Sequence, residues 1–200
     1  MKISRVERRK QDTRQRIAHA ALELFAKQGI DATTIAEISE AADIGKGTFF
    51  TYFPTKEDVF VEVGTLILER IAASLQGADL APDAPPAVLL ERAIMPGVDW
   101  HEAHPALSRV SVAVMMRQPA SLSARDPSIA ALEGILIGIV EAGRAAGHFR
   151  ADADARTAAG VLLAVYFMGI VDWHQRGAVR GVLEAQVRAA LALVVQGLGT

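Results

Sequence analysis

The stretch from Thr34 to Pro54 constrains the fold most, because it has room for only two short helices and a tight turn. Thr33 or Thr34 can cap the first helix, and Glu37 stands three residues after Thr34, the spacing of a capping box. Ile35, Ile38 and Ala42 form its inner face. Asp43-Ile44-Gly45 makes the turn. The second helix covers Lys46 to Phe53, with Phe49 and Phe53 stacked on one side, and Pro54 stops it.

The flanks continue the helical pattern. Ile17, Ala21, Leu24 and Phe25 make an apolar stripe that predicts a helix over Arg14–Gln28, with Gly29 at its C-cap. Thr55, with Asp58 three residues on, predicts a fourth helix from Lys56 to about Leu75. The run from Gly77 to Pro86 reads as a loop. Five further helices follow, over Ala87–His101, Pro105–Arg117, Ser128–Ala146, Asp154–Gln175 and Val179–Gly197. Nine helices and no convincing strand make an all-α protein. Hydrophobic residues make up 51% of the chain without gathering into alternating runs, which agrees.

Composition removes several function classes. With no cysteine there is no disulfide scaffold, cysteine-ligated zinc or cysteine nucleophile. No apolar segment of a signal peptide follows the basic start. The longest apolar stretch, Ala158–Val171, is shorter than the roughly 20 residues a bilayer requires. The expectation is a cytoplasmic protein with no membrane partner. Net charge is −2, but its distribution is uneven. From Met1 to Arg16 there are seven Lys or Arg against two acids, so 7 − 2 = +5. A basic arm ahead of an acidic body can meet phosphates, or can simply be a solvated terminus.

Two short helices joined by a tight turn form the helix-turn-helix pattern. The first helix braces the second, which enters the major groove of DNA. Ile44, Phe49 and Phe53 supply the core side, leaving Lys46, Gly47, Phe50, Thr51 and Tyr52 for the groove and its phosphate walls. The ordered run from Thr33 to Asp58 resembles the signature of the tetracycline-repressor (TetR) family. It has a Thr opening the second helix, an Ile-Ala pair, Lys46-Gly47-Thr48, then Tyr52-Phe53-Pro54 and Thr55-Lys56-Glu57. The close resemblance runs from Arg14 to Phe60; the remainder matches in helix number and length.

That resemblance implies roles by position. Thr34, with Thr33 beside it, corresponds to a phosphate contact. Lys46 reaches base or phosphate, Gly47 permits close approach, and Thr48 caps or touches phosphate. Phe50 meets bases where Tyr is common, packing on thymine methyls. Thr51 and Tyr52 make backbone and edge contacts. Lys56 binds phosphate at a helix N-terminus. Three positions depart from the family pattern: Asp43 stands where Gly is common, Gly45 where Ser often caps, and Phe50 lacks the Tyr hydroxyl. Asp tolerates a left-handed backbone, and Gly in place of Ser at a cap costs only a few tenths of a kcal/mol.

The resemblance also implies two units, an N-terminal one over 1–54 that binds DNA and a C-terminal one over 55–200 that binds ligand and dimerises. The last two helices, about 154–175 and 179–197, are apolar on too many sides for a monomer surface, which suits a dimeric four-helix bundle. A dimer sets two recognition helices about 34–36 Å apart on a near-palindromic operator. The middle helices would enclose a cavity for an unidentified small-molecule effector. Its apolar candidates are Met95, Trp100, Met115, Met116, Phe167, Met168 and Trp173. The polar residues nearby are Asp99, His101, His104, Arg117, Asp172 and His174. Inward-facing Asp99 and Asp172 would favour a cationic ligand.

His101-Glu102-Ala103-His104 invites a metal or catalytic reading. The spacing misses His-Glu-x-x-His, and Pro105 ends the helix there. The expectation is therefore a ligand-responsive repressor with no cofactor, metal or catalytic residue. The competing readings are an effector-independent regulator, an activator, or a helical metal-binding protein or enzyme built on His101 and His104.

Overall fold

The computed structural model describes residues 4–77, 83–117 and 127–199. Among these, nine α-helices form and no strand does. They are α1 (Arg5–Gln28), α2 (Ile35–Ala41), α3 (Lys46–Tyr52), α4 (Phe60–Leu75) and α5 (Pro86–Ala103), then α6 (Pro105–Arg117), α7 (Pro127–Ala145), α8 (Ala155–Gln175) and α9 (Val182–Leu198). A short 3-10 turn, Glu57–Val59, leads into α4.

The sequence places the start of α1 at Arg14, where its apolar stripe begins. In the structure the helix starts nine residues earlier, at Arg5. Ser4 caps it, accepting the Glu7 amide at 3.1 Å, and residues 4–12 are exposed. A stripe reports only the packed part of a helix. The extension rests on its cap and on Arg, Lys, Glu and Gln, all good helix formers.

Local signals set the next elements. Thr34 accepts the Glu37 amide while Glu37 accepts from the Thr34 amide at 2.8 Å, completing the capping box. Asp43 sits in the left-handed region at φ 51°, as the turn demands. The fourth helix departs from expectation. Thr55 does not cap α4; its amide and hydroxyl donate to Asp58 at 2.8 Å within the turn before the 3-10 segment.

Two hydrophobic clusters organise the chain. The first gathers Ile17, Ala21, Phe25, Ile38, Phe49, Phe53 and Val59 from α1, α2, α3 and the 3-10 turn. The second gathers Leu90, Val98, Leu136, Val140, Leu162, Ile170, Trp173, Leu183 and Val187 from α5, α7, α8 and α9. Helix α6 touches both: Leu107, Val110 and Val114 pack on the first, and Val112 on the second.

Glu102 has a structural task. Its carboxylate accepts the amides of Gly181, Leu183 and Glu184 at 2.8, 3.0 and 3.2 Å. An anion at the N-terminus of α9 is favoured by both the free amides and the helix dipole. This cap, with left-handed Gly181 (φ 82°), begins α9 at Val182 rather than at Val179. Helix α8, at 21 residues, is longer than its apolar stretch Ala158–Val171. Length and composition alone would let it cross a bilayer. Here Leu162, Tyr166, Ile170 and Trp173 bury one side of it in the second cluster.

Candidate nucleic-acid interface and ligand cavity

Helix α3 divides its residues as the two-sided reading requires. Phe49 is buried, and the following Phe53 closes the core beside it with ring centroids 5.8 Å apart. Lys46, Gly47, Phe50 and Thr51 are exposed; Thr48 and Tyr52 are half-buried. Phe50 meets the Phe49 ring edge-on, with centroids 5.6 Å apart, and still leaves 55% of its surface in solvent. A Cβ built on Gly47 meets no atom within 4 Å, so nothing inside the protein requires glycine there. Thr51 turns its hydroxyl back to the Gly47 carbonyl at 3.2 Å.

Three residues assigned to DNA are engaged inside the protein. Thr33 is buried, its hydroxyl donating to the Gly29 carbonyl at 2.7 Å at the end of α1. Thr34 is exposed but shares its side chain with Glu37 in the capping box. Lys56 donates to the carbonyls of Ile30 and Thr33 at 2.5 and 2.9 Å. Its ammonium thereby ties the α1–α2 loop to the turn before α4. Hydrogen bonding to Thr34 holds the Glu37 carboxyl below its ordinary value, so the box keeps its charge.

Arg14 belongs to the same frame rather than to a free basic arm. It donates to Glu62 at 2.5 Å and to the Tyr52 carbonyl at 3.0 Å, and lies 4.6 Å above the Phe53 ring. One guanidinium thus joins α1, the end of α3 and the start of α4. Between residues 4 and 16 the formal charge is 6 − 2 = +4; with Arg14 neutralised by Glu62 it becomes +3. Sequence reading missed Arg14 because its partner lies 48 residues away.

The second site is a cavity of about 220 Å³. Its floor is the start of α4, with Phe60, Val61, Gly64 and Ile67. Trp100 and His101 of α5, Met115 of α6, Ile129 and Leu132 of α7 and Phe167 of α8 complete most of the wall. Of the expected apolar lining, Trp100, Met115 and Phe167 are there. Met95 and Trp173 are buried in the core away from it, and Met116 and Met168 point to solvent. Helical periodicity separates buried from exposed positions but does not mark which buried ones border an empty volume.

The polar candidates separate in the same way. Asp99 is exposed, and Asp172 pairs with Arg176 at 2.8 Å and accepts from Gln186 at 3.2 Å. Neither faces the cavity, so the cationic-ligand argument built on them falls. Among the described residues the acids in the wall are Glu57 and Asp58, at the turn into α4. His104 is exposed, stacked on Trp100, with Nδ1 bonded to the Trp100 carbonyl at 2.9 Å. His101 points the other way, into the cavity wall. Among the described residues no three His, Asp or Glu converge on a point fit for a metal ion. Glu102, between them in sequence, is spent on α9.

His101 begins a buried polar chain. Its Nδ1 lies 2.7 Å from the Ser108 hydroxyl, which lies 2.7 Å from Nε2 of His174. Ser108 is fully buried, and Nδ1 of His174 is buried without a hydrogen-bond partner. Burial, then the charges of His174 and His104, lower the His101 pKa to about 3, so it is neutral at physiological pH. Burial also lowers the His174 pKa, with Arg109 adding to the effect.

Comparison with known proteins follows the same division. Residues 17–63 match the family described as bacterial regulatory proteins, tetR family. The regulator AcrR of Shigella flexneri is 37% identical over 82 residues, 40% of this chain and 38% of that protein. The transcriptional repressor NicS of Pseudomonas putida is 33% identical over 148 residues, 70% of this chain and 67% of that one. The chain spans less than half the length of AcrR and of YhgD from Bacillus subtilis, at 38% and 48%. Among solved structures, the TetR-family repressor FadR of Thermus thermophilus, in complex with lauroyl-CoA, superposes with TM-score 0.74 at 26% identity. That superposition covers 94% of this chain and 95% of FadR. FadR of Bacillus halodurans, at 18% identity and TM-score 0.73, covers 98% of this chain and 97% of its own and shares the fold.

Proposed function

The chain belongs to the TetR family of bacterial regulatory proteins, and on that premise we propose that it represses transcription by holding operator DNA as a dimer, releasing it when a small molecule fills the cavity. The observation that carries this reading is the exposed face of α3. Lys46, Gly47, Phe50 and Thr51 offer a cation, a gap, an aromatic ring and a methyl group to a groove, over a core closed by Phe49 and Phe53. The relatives named above are regulators, two of them repressors.

In this reading residues 1–54 contact DNA. The exposed basic residues at the start of α1 add phosphate attraction. Residues 55–200 hold ligand and partner. Met168 and Leu193, 60% and 70% exposed on α8 and α9, with the exposed Val161 and Val182 on the same two helices, supply the apolar surface that a second copy would cover. The cavity supports regulation by a ligand because its floor is the first turns of α4, joined to α1 and α3 through Arg14. The ligand acts only insofar as it binds the DNA-released arrangement better.

The test is selection from a library of random duplexes by the purified protein, with sequencing and a salt titration. Recovery of one near-palindrome, weakened by Lys46→Ala and Phe50→Ala, supports the reading. Sequence-blind, salt-sensitive binding alone would sink it.

A further inference from the structure

Among the polar groups of the cavity wall, the buried imidazole of His101 is set apart by the hydrogen-bonded chain behind it. His101 is 8% exposed, and its Nδ1 is committed to Ser108. Nε2 is left for whatever occupies the cavity. Around it stand Trp100, with ring centroids 5.1 Å apart, and Tyr166, at 6.0 Å. The ionisable acids in the described wall, Glu57 and Asp58, are half-buried at the turn into α4, where Asp58 is bonded to Thr55. No Lys or Arg belongs to that wall among the described residues.

We propose that His101 is the specificity-determining residue of this cavity and that the ligand is an uncharged apolar molecule of about nine non-hydrogen atoms within the cavity, held through one carbonyl or hydroxyl hydrogen-bonded to His101 Nε2. The size follows from scaling: an apolar protein cavity of about 150 Å³ accepts benzene, and this one is about 220 Å³. The charge follows from the wall. A carboxylate or phosphate placed here would be buried beside a neutral imidazole, with no Lys or Arg in the described wall to pair it, a costly arrangement. An ammonium would meet only acids that are partly solvated, where an ion pair is weak. The inference rests on the proposed role of the cavity as the effector site, and it separates this chain from a fold relative that binds an acyl-CoA.

The chain behind His101 gives that hydrogen bond a direction. Ser108 has one hydroxyl proton for two imidazole nitrogens. If it donates to His174, then Nδ1–H of His101 donates to Ser108, and His101 Nε2 accepts from a ligand hydroxyl. If it donates to His101, then His174 Nε2–H donates to Ser108, and His101 Nε2–H donates to a ligand carbonyl. The two arrangements differ at His174 Nδ1, buried without a partner: it is an orphan N–H in the first and a bare lone pair in the second. An orphaned buried donor is the rarer case, so the carbonyl arrangement is favoured. Ser108 lies on α6, whose neighbours Leu107 and Val110 pack on the core that carries α3.

A matched eight-carbon set tests this: octan-2-one, octan-1-ol, octane, octanoate and octylamine, with lauroyl-CoA beside them. Binding to the full chain is read by tryptophan fluorescence, since Trp100 lines the cavity, and by the thermal midpoint. Octan-2-one is expected to bind about five- to tenfold more tightly than octane, the contribution of one hydrogen bond, and more tightly than either ion. His101→Leu is expected to erase that preference while keeping octane binding, and His101→Gln to restore part of it. Ser108→Ala, which leaves His101 in place, is expected to narrow the difference between ketone and alcohol. Tightest binding by octanoate, octylamine or lauroyl-CoA, a preference unmoved in His101→Leu, or no binding by any probe would overturn the proposal. Parallel measurement on the selected duplex separates the two claims. Probes that bind with the expected pattern but leave DNA affinity unchanged sink the effector role and leave the ligand class standing.

Discussion

The two cores of this molecule are built on different terms. The one around Phe49 and Phe53 closes on itself through aromatic contacts, and apart from the buried, unpartnered Ser39 hydroxyl its polar groups serve as helix caps and loop ties, such as Thr34 with Glu37, Thr33 with Gly29 and Lys56 with Ile30. The one around Leu162 and Ile170 is opened by a cavity and crossed by the His101–Ser108–His174 chain. A surface that must match DNA benefits from fixed geometry. A bundle that must respond to a ligand needs unfilled volume and a second arrangement to move into. Helix α6, which touches both cores, is where one condition can reach the other.

The sharpest way to break this contrast is to remove a ring from the closed core. Phe49→Ala is expected to cost about 3–5 kcal/mol, since the ring is fully buried and the cavity left behind collapses poorly. Denaturant unfolding should show it, with operator binding lost. If tryptophan fluorescence shows that ligand still enters the bundle, the cores fold with partial independence. Simultaneous loss of both would mean that α6 fuses them into one cooperative unit.

The next effect lies on the outer face of the bundle. Leu193→Glu and Met168→Glu place charges on positions 70% and 60% exposed in the single chain, so monomer stability should change by no more than about 0.5 kcal/mol. Sedimentation should show a dimer become a monomer. Operator affinity should then fall by a factor on the order of 100 or more, because two linked half-site contacts become independent ones. An unchanged dimer would place the interface elsewhere.

A third effect belongs to the polar chain. His101 is neutral when folded, with a pKa near 3 against an ordinary 6.5. Its folded value is the lower one, so this contribution to stability is present above pH 6.5. It is lost as the pH falls from 6.5 toward 3, because the unfolded chain gains the proton first. Between pH 7.5 and pH 5 the loss should be about 2 kcal/mol. His174, shifted in the same direction, steepens it. Chemical denaturation across that range should show the slope, and His101→Gln should flatten most of it. A flat profile in the parent chain would mean that His101 is solvated in solution.

How much of this was legible in the sequence also divides by core. The capping box, the Asp43 turn, the Phe49–Phe53 pair and the stop at Pro54 are local, each set by residues within four positions of one another. The hydrogen bonds of Lys56 were not legible, because its partners Ile30 and Thr33 come from a loop more than twenty residues earlier. His101 was one of six polar candidates for the cavity, and nothing local ranked it above the others. Its pairing with Ser108 and then with His174, 66 residues on from Ser108, depends on how three helices pack. Only three of the seven apolar residues expected in the cavity wall line it, for the same reason. Periodicity tells which side of a helix is buried, whereas a void depends on what the facing helices fail to fill.

The smallest expected effect concerns Gly47, and it separates fold from function most cleanly. A glycine inside a helix costs up to about 1 kcal/mol against alanine, and beyond its chain neighbours and its own helix backbone no atom lies within 4 Å of where the Cβ of Gly47 would stand. The penalty therefore has no return inside the folded chain. Gly47→Ala should raise stability by a few tenths to about 1 kcal/mol, read in denaturant unfolding, and should weaken operator binding in the same preparation. That opposition is what a surface shaped for a partner predicts, because the added methyl stands where DNA would approach. If Gly47→Ala stabilised the chain and left operator affinity untouched, the groove-facing side of α3 would have to be reassigned, and Phe50 with it.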